Sequence, residues 1–270
     1  MMRSLWTAAS GMIGQQRNVD VISNNLANVN TTAYKKDRVE FKDLVYAKMD
    51  KAYNLENDKP TEMQIGMGTM PAAIVKNFEN GTYQSTECPV DFAIEGEGFF
   101  TVETPQGESI YTKDGGFRLS PLPDGGSMLV NTQGYPVLDT EGENITFPSM
   151  KQEYISVNEL GEIYFADDEG NYENSGMILN VVKFRNPAGL ESLGSNNFRP
   201  TVASGEPLSE QELEEGETRS RIMQGYLETS NVQLVDEMVN LIVAQRAYEI
   251  NSKIIQASDD MLNQANTLRR

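Results

Sequence analysis

The sequence contains no histidine and only one cysteine, Cys88, among its 270 residues. Histidine is the side chain that most often acts as a general base, proton shuttle or metal ligand. Its absence excludes Ser-His-Asp triads, Cys-His pairs and the usual zinc sites, and no cofactor is expected. A lone cysteine cannot form a disulfide within the chain, and we expect Cys88 to be a small buried hydrophobic residue.

Basic residues and long apolar runs are also scarce. The chain has 22 Lys+Arg against 40 Asp+Glu, a formal net charge of −18, and this field repels the phosphates of nucleic acids and anionic lipids. No run approaches the roughly 20 apolar residues of a membrane span. Polar residues and glycines interrupt the segment after Arg3, which argues against a signal peptide. We therefore expect neither nucleic-acid binding, nor membrane insertion, nor cleavage of the N-terminus.

Both ends of the chain carry residues at alternating spacings of three and four, apolar except for one glutamine in each series, a pattern typical of coiled-coil helices. The N-terminal stripe is Leu5, Ala8, Met12, Gln15, Val19, Ile22, Leu26 and Val29. The C-terminal stripe is Ala247, Ile250, Ile254, Ala257, Met261, Gln264 and Leu268, extended upstream by an apolar face of Val232, Val235, Val239 and Ile242. The second pattern predicts a helix over about 231–268, with a capping box formed by Ser230 and Gln233.

Between the ends, from about Phe78 to Phe198, the pattern changes to short runs rich in β-branched and aromatic residues. Examples are DFAI at 91–94, GFFTV at 98–102 and ILNVVKF at 178–184, with turn dipeptides such as Asn-Gly and Asp-Gly between them. This alternation is typical of short antiparallel strands joined by tight turns. Together with the ends, it predicts an α+β protein with an antiparallel β-rich central domain and a coiled-coil-like pair of terminal helices.

Two stretches show neither the helical nor the strand periodicity. Residues 46–71 are interpreted as an extended loop or linker, and the glutamate-rich segment 205–217 as a flexible exit from the β domain. We therefore predict an N-terminal helical arm at 1–45, an irregular stretch at 46–74, a β-rich domain at 75–222 and a C-terminal helical arm at 223–270.

The two arms are not expected to be stable alone. Burial of an apolar side chain contributes about 1.5 to 3 kcal/mol, whereas ordering each residue costs about 1 to 2 kcal/mol. These opposing contributions are of similar size for the two arms together. We therefore predict that the arms become rigid only when neighbouring copies cover their remaining apolar surface.

The segment SNNLANVN at 23–30 places four asparagines where the helical pattern is running, although asparagine is a poor helix former. One hypothesis is that Asn24, Asn25 and Asn28 donate and accept hydrogen bonds between neighbouring copies. The alternative is a helix end that enters a turn. The sequence leaves both open.

Five segments, spread over nearly the whole chain, carry a family resemblance. They are RSLWTAASGM at 3–12, VISNNLANVNTTAYKK at 21–36, DFAIEGEGFF at 91–100, YTKDGGF followed by GYPVLD at 111–139, and GYLETSNVQLVDEMVNLIVAQRAYEINSKIIQASDDML at 225–262. In the same order, they resemble the N-terminal signature, β-domain motifs and C-terminal signature of the bacterial flagellar rod and hook family. The opening RSLW, QIGMG at 64–68 and the modest length are most similar to the distal-rod members.

The resemblance implies a structural subunit that polymerises into the helical rod between flagellar motor and hook. Its partners would be further copies of itself, adjacent proximal rod and hook or junction proteins, and the flagellar export apparatus. It would lie outside the cytoplasm, in the periplasm or cell-wall layer, after export without a cleaved signal peptide. The β domain would form the outer tube, and 46–71 would stiffen the rod.

On the same resemblance, the terminal helices line the rod and carry the assembly contacts. The expected contact residues are Leu5, Met12, Val19, Ile22, Asn24, Asn25, Leu26, Asn28, Val29, Val235, Val239, Ile242, Tyr248, Ile250, Asn251, Ile254, Met261 and Leu268. One position departs from the family pattern, because Ala33 stands where members usually have glycine. If that position needs a left-handed backbone, alanine costs about 1 kcal/mol.

Two short motifs suggest other functions, but neither matches the full pattern that its function requires. EGEGFF at 95–100 lacks the third glycine of a dinucleotide site, and DDEGNYE at 167–173 has its glycine in the wrong place for an EF-hand loop. Two readings from other classes stay open: a hydrolase of cell-wall glycan that uses a carboxylate pair, and a monomeric carbohydrate-binding β module. A proximal rod or hook-type subunit is the alternative within the family.

Overall fold

The computed structural model of the chain describes residues 2–48, 64–123, 125–147, 155–166, 172–211 and 219–268. The chain divides into two compact units. The helical unit comprises Met1–Ala27, Asp37–Lys76 and Gln233–Arg270, and the β-rich unit comprises Asn28–Lys36 and Asn77–Val232. The predicted α+β class with terminal helices and an antiparallel β-rich part is confirmed.

Two long helices form at the chain ends, as their periodicity predicted. Helix α1 spans Met2–Ala27 and helix α2 spans Leu234–Thr267. The first ends two residues before the predicted stripe does, because Asn28 begins a turn in which its carbonyl accepts a hydrogen bond from the Thr31 N–H at 3.1 Å. The C-terminal helix agrees with the prediction to within a few residues.

The capping box predicted at the start of α2 does not form. The N-cap residue is Gln233, whose side chain makes no capping hydrogen bond. Ser230 lies too far upstream, and its hydroxyl accepts a hydrogen bond from the Val232 N–H at 3.3 Å instead. The acidic residues Asp236 and Glu237 occupy the first turn of α2, where their negative charges interact favourably with the positive end of the helix dipole.

A β-hairpin accompanies α1 in the helical unit, and the sequence analysis missed it. Strand β1 (Asp37–Asp43) pairs antiparallel with β4 (Thr69–Lys76), and β2 (Tyr46–Lys48) pairs with β3 (Gln64–Gly66). The interpretation of 46–71 as a loop without strands is therefore wrong at both of its ends. Its middle, residues 49–63, lies outside the described residues.

Helix α1 packs against α2 on one side and against this hairpin on another. Gly14 faces the ring of Phe41, and a β-carbon at Gly14 would lie 3.1 Å from that ring. Gly68 lies against Ser10, where a β-carbon would come within 2.2 Å of the hydroxyl oxygen. Both glycines are needed because the two backbones approach closely at these points.

The β-rich unit contains sixteen strands among its described residues. They are β5 (Tyr83–Ser85), β6 (Phe92–Glu95), β7 (Phe99–Glu103), β8 (Ser109–Thr112), β9 (Arg118–Pro121), β10 (Ser127–Val130), β11 (Thr146–Phe147), β12 (Ile155–Val157), β13 (Glu162–Ala166), β14 (Tyr172–Ile178), β15 (Val181–Lys183), β16 (Glu191–Gly194), β17 (Asn197–Arg199), β18 (Leu208–Ser209), β19 (Arg221–Gln224) and β20 (Tyr226–Glu228). The largest sheet has the order β16-β17-β8-β7-β15-β18.

The core of this unit lies on both faces of that sheet. Adjacent side chains of a strand point to opposite faces. Phe100 and Val181 therefore join the main core, while Phe99 and Val182 join a second cluster with Phe198. Edge-to-face aromatic contacts, such as Phe99 with Phe198 at 6.0 Å between ring centres, stabilise the second cluster. Cys88 is half-buried and packs against the main core.

The residue that departs from the family pattern occupies a strained turn. Ala33 has φ = 54°, is buried, and donates its N–H to the Glu228 carbonyl at 2.8 Å. The left-handed backbone at this position is thus confirmed. Two other predicted segments lie partly outside the described residues, namely 167–171 of the acidic turn and 212–217 of the glutamate-rich exit.

Candidate assembly surface

The two helices touch through small and polar residues that recur every seventh position. Three contacts join them, Ser4 with Ser258, Gly11 with Asn251, and Asn25 with Glu237. Each step of seven forward along α1 is a step of seven backward along α2, so the pair is antiparallel. Ala8 and Ala244, which are also buried, lie on the same faces. Small residues at the contact allow the two backbones to approach closely.

Gly11 marks the tightest approach of the pair. A β-carbon at this position would lie 2.9 Å from the amide nitrogen of Asn251, so a larger residue requires Asn251 to move. At the two ends of the contact, the Ser4 and Ser258 hydroxyl oxygens are 3.3 Å apart, and the Asn25 amide donates to the Glu237 carboxylate at 3.4 Å. The side chains at these points are small or polar, which limits the hydrophobic stabilisation they supply.

Asn25, in the asparagine-rich segment at 23–30, forms hydrogen bonds within the chain. Its side chain is buried, donates to the Asp37 carbonyl at 2.9 Å and accepts from the Asp37 N–H at 2.9 Å. It therefore links α1 to β1 within one copy, and its expected role as a contact between copies stays a prediction. Asn28 accepts a hydrogen bond from the Thr31 hydroxyl at 3.2 Å in the turn after α1. Asn24 is exposed.

Most of the apolar residues predicted as contacts on α2 face solvent in the single chain. Eight of the nine named contact residues on α2 are exposed, from 42% at Ile254 to 88% at Leu268. The exposed set is Val235, Val239, Ile242, Tyr248, Ile250, Ile254, Met261 and Leu268. Asn251 differs, since it is half-buried against Gly11. The α2 positions seen to touch α1 carry small or polar side chains, and the apolar side chains beside and beyond them stay exposed in a single copy.

The apolar residues expected as contacts on α1 are less exposed than those on α2. Leu5, Met12, Val19, Leu26 and, beyond the helix end, Val29 are half-buried. Ile22 is buried and belongs to the interior of the unit.

Several exposed apolar residues were missed by the sequence analysis. They are Trp6 and Ile13 on α1, Leu234, Met238 and Val243 on α2, and Val45 and Ile74 in and beside the hairpin. Trp6 and Ile13 are seven residues apart and each directly follows a stripe residue. A wider apolar face, rather than a single line, was the signal that could have found them.

The most strongly perturbed ionisable groups lie elsewhere, in the β-rich unit. The Lys35 ammonium is 2.6 Å from the Glu228 carboxylate, and both side chains are 1% exposed. Burial lowers the pKa of Lys35, and the Glu228 charge opposes that shift. Burial also lowers the pKa of Lys113 to about 8 and raises the pKa of Tyr83 to about 12.

These groups bond to the protein's own backbone. Lys35 donates to the Glu79 carbonyl at 2.8 Å, and the Glu228 carboxylate accepts from the Gly81 N–H at 2.6 Å. Lys113 donates to the Gly96 carbonyl at 3.0 Å and to the Asn80 side chain at 3.1 Å. These side chains thus fix the conformation of loops. Groups in structural hydrogen-bond and ion-pair networks can have perturbed pKa values without taking part in catalysis.

Within the described ranges, neither helix is long and apolar enough to cross a membrane. Three family profiles match the chain. Residues 5–35 match "Flagella basal body rod protein", residues 93–165 match "Flagellar hook protein FlgE/F/G D1 domain", and residues 223–268 match "Flagellar basal body rod FlgEFG protein C-terminal". The two terminal matches cover most of both helices.

Relatives match over the whole length. The flagellar basal-body rod protein FlgG of Borreliella burgdorferi is 47% identical, with 100% of both chains covered. FlgG of Bacillus subtilis is 38% identical over 100% of both chains, and the flagellar hook-basal body complex protein FlhP of the same species is 32% identical over 100% of both. By its terminal helices, its β-rich unit and this full-length similarity, the chain belongs to the family of flagellar basal-body rod proteins and is a structural subunit of the flagellum.

Proposed function

We propose that this chain is a distal-rod subunit that polymerises because neighbouring copies cover the exposed apolar faces of α1 and α2. The observation that carries the proposal is the set of exposed apolar residues along α2, which runs from Val235 to Leu268. A helix of 34 residues is about 50 Å long. A stripe of that length is suited to lie along the helices of adjacent subunits.

Hydrophobic burial can drive this association. Complete burial of a valine, isoleucine or methionine contributes about 1.5 to 3 kcal/mol, and the exposed apolar residues expected as contacts on α2 are 42% to 88% exposed in one copy. Several such residues, covered at the same time, offset the loss of translational and rotational freedom. The polar contact between α1 and α2 supplies little of this stabilisation. We infer that the arms become rigid mainly on assembly.

In this proposal the exposed apolar surfaces of α1 and α2 contact different neighbouring subunits. A helical polymer needs two different, complementary surfaces on each subunit, because a self-complementary surface closes into a dimer. The exposed faces of α1, centred on Trp6 and Ile13, and of α2 are two such surfaces. Asn24 remains a candidate for polar contacts between copies. The other expected contact residues on α1 would contribute their half-buried side chains.

The remaining parts of the proposal rest on family membership. The β-rich unit is assigned to the outer tube, and the stretch at 46–74 to contacts that stiffen the rod. The end partners would be proximal rod proteins on one side and hook or junction proteins on the other. Export by the flagellar apparatus, without a cleaved signal peptide, would place the subunit outside the cytoplasm. The role is structural, without catalysis.

The assignment to the distal rod, rather than to another part of the flagellum, is supported by sequence identity to FlgG proteins. FlgG relatives are 35% to 47% identical to the chain, whereas the hook-basal body complex protein FlhP is 32% identical over 100% of both chains. A hook-type subunit is the second candidate on this ground.

The test is a charge placed on the exposed stripe. Val239→Glu is expected to abolish polymer growth on concentration, measured by negative-stain electron microscopy and light scattering, because a carboxylate would be buried between copies. Gln245→Glu is the matched control, since it adds the same charge at another exposed position of α2. Circular dichroism of dilute protein should be the same for both variants. Polymers of Val239→Glu that grow as readily as those of the control would contradict the proposal.

A further inference from the structure

Asn80 and Gly81, in the β-rich unit, form an Asn-Gly dipeptide, which occurs once in the sequence. The main-chain nitrogen that follows an asparagine can attack the side-chain amide and close a five-membered succinimide ring. Glycine favours this reaction most, because it has no β-carbon to hinder ring closure. Asn80 is exposed and borders a cavity of about 320 Å³, so water can reach its amide and ammonia can leave. The dipeptide is thus open to such chemistry.

Packing within the β-rich unit keeps a glycine at position 81. A β-carbon there would collide with the Thr229 carbonyl oxygen. The main chain is anchored on both sides of Asn80, since the Glu79 carbonyl accepts a hydrogen bond from Lys35 at 2.8 Å and the Gly81 N–H donates to Glu228 at 2.6 Å. The fold therefore requires the most reactive successor of Asn80 and holds it in one place.

Two charged side chains bind the two reacting groups of this dipeptide. The Glu228 carboxylate accepts the hydrogen bond of the Gly81 N–H, which must lose its proton when the nitrogen attacks. The Lys113 ammonium donates to the Asn80 amide oxygen at 3.1 Å, and this oxygen becomes negatively charged when its carbon is attacked. Glu228 and Lys113 are 3% and 2% exposed, and charges interact more strongly in such surroundings than in water. They occupy the positions of a general base and an electrophile.

We propose that Asn80–Gly81 is a self-modification site, at which Glu228 and Lys113 promote the loss of ammonia from the Asn80 side chain. The Gly81 nitrogen forms a bond to the side-chain carbon, while Glu228 takes its proton and Lys113 stabilises the negative oxygen. The bond from that carbon to the side-chain nitrogen then breaks, and this nitrogen leaves as ammonia with the proton from Glu228. Water opens the ring at the side-chain carbonyl to give aspartate, or at the main-chain carbonyl to give isoaspartate. The reaction needs one copy of the chain and does not depend on polymer formation.

The aspartate product suits this position better than the original asparagine does. It places an ionised partner against the buried Lys113 ammonium, where the unmodified chain has a neutral amide oxygen. Hydrogen bonds between two ionised groups are stronger than those to a neutral group. The reaction also adds one negative charge to a chain with a formal net charge of −18.

Lys113 can act as an electrophile only while it carries its proton. Burial lowers the pKa of Lys113 to about 8, and the Lys35 charge acts in the same direction, whereas the charges of Glu228, Glu97 and Glu210 oppose the shift. Hydroxide accelerates ring closure in any chain, so the informative quantity is the rate in the folded protein divided by the rate in the unfolded chain. This ratio should fall as the pH rises from about 7 to about 9.

The test measures ammonia loss at Asn80 by mass spectrometry of peptides from dilute full-length protein, either folded or unfolded in guanidinium chloride. At about pH 7 the folded protein should react about tenfold faster than the unfolded chain. Lys113→Met should remove this advantage, whereas Lys113→Arg should keep much of it and show no fall of the ratio with pH, because arginine stays charged. Lys183→Met is the matched control, since it removes another half-buried lysine of the same unit and should leave the rate at Asn80 unchanged.

A folded wild type that reacts no faster than the unfolded chain would overturn the inference, because the fold would then protect the dipeptide. The inference also fails if Lys113→Met, shown by circular dichroism to be folded, reacts as fast as Lys183→Met. Should Lys113→Met not fold, wild type alone decides the question. In that case a folded-to-unfolded ratio that stays constant between about pH 7 and about pH 9 would exclude a role for the Lys113 ammonium.

Discussion

Replacing Glu228 by glutamine is expected to destabilise the β-rich unit by about 3 to 5 kcal/mol, because it removes the negative charge that faces a buried ammonium group. The Lys35 nitrogen lies 2.6 Å from the Glu228 carboxylate, and each side chain is 1% exposed. Glutamine has almost the same size and can still accept a hydrogen bond from the Gly81 N–H. The loss therefore reports the missing charge rather than a change of shape.

The destabilisation should depend on pH in a definite direction. Burial lowers the pKa of Lys35, and the Glu228 charge works against that shift. In Glu228→Gln the opposing charge is absent, so the pKa of Lys35 falls further. The cost of the buried ammonium is present below this pKa and is relieved as the pH rises through it. The stability difference between wild type and variant should thus shrink at alkaline pH.

Urea denaturation of the full-length protein, followed by circular dichroism, measures the effect. The control is Glu108→Gln, which breaks an exposed ion pair with Arg199 at 2.9 Å in the same unit and should cost less than about 1 kcal/mol. The double variant Lys35→Met with Glu228→Leu removes both charges and should be more stable than Glu228→Gln. A Glu228→Gln variant no less stable than the control would refute this account of the pair.

Two further predictions concern Lys113 and Gly11. Because burial lowers the pKa of Lys113 to about 8 from 10.5, the folded protein binds fewer protons than the unfolded chain between these values. The free energy of unfolding should rise over this range by up to about 3 kcal/mol, and Lys113→Met should remove that rise. If the urea midpoints of wild type and Lys113→Met changed with pH by the same amount, this prediction would be contradicted. Gly11→Leu should force Asn251 aside and lower the helical circular dichroism signal, while Gln16→Leu, at an exposed position of α1, should not. Unchanged helicity in Gly11→Leu would show that the close approach of α1 and α2 is unimportant.

The existence of both helices could be predicted from the sequence, because the spacing of apolar residues is a local property of the chain. Which face of α2 meets α1 could not be predicted in this way. The apolar stripe through Val239 and Ile242 was the obvious candidate for the contact, yet the structure uses Ala244 and Asn251. Periodicity identifies an apolar face, but it does not tell whether the same copy or another one covers it.

The β1–β4 hairpin shows a second limit of sequence patterns. Strand β1 reads DRVEFKD, in which charged residues surround Val39 and Phe41, and the expected helical arm extended over it. Its partner β4 begins 26 residues after β1 ends. A pairing of this kind is decided by contacts distant in sequence, such as that of Gly14 on α1 with Phe41, which a local pattern does not contain.

The sequence by itself determined the α+β class, the family, the apolar stripes and the absence of histidine chemistry, since these depend on composition and on order along the chain. Only the tertiary structure decided that Asn25 is an internal link and that the apolar contact residues expected on α2 are exposed in a single copy. The Lys35–Glu228 ion pair joins residues 193 positions apart. Its partners are isolated charged residues in the sequence, and they acquire their role only because folding buries them side by side.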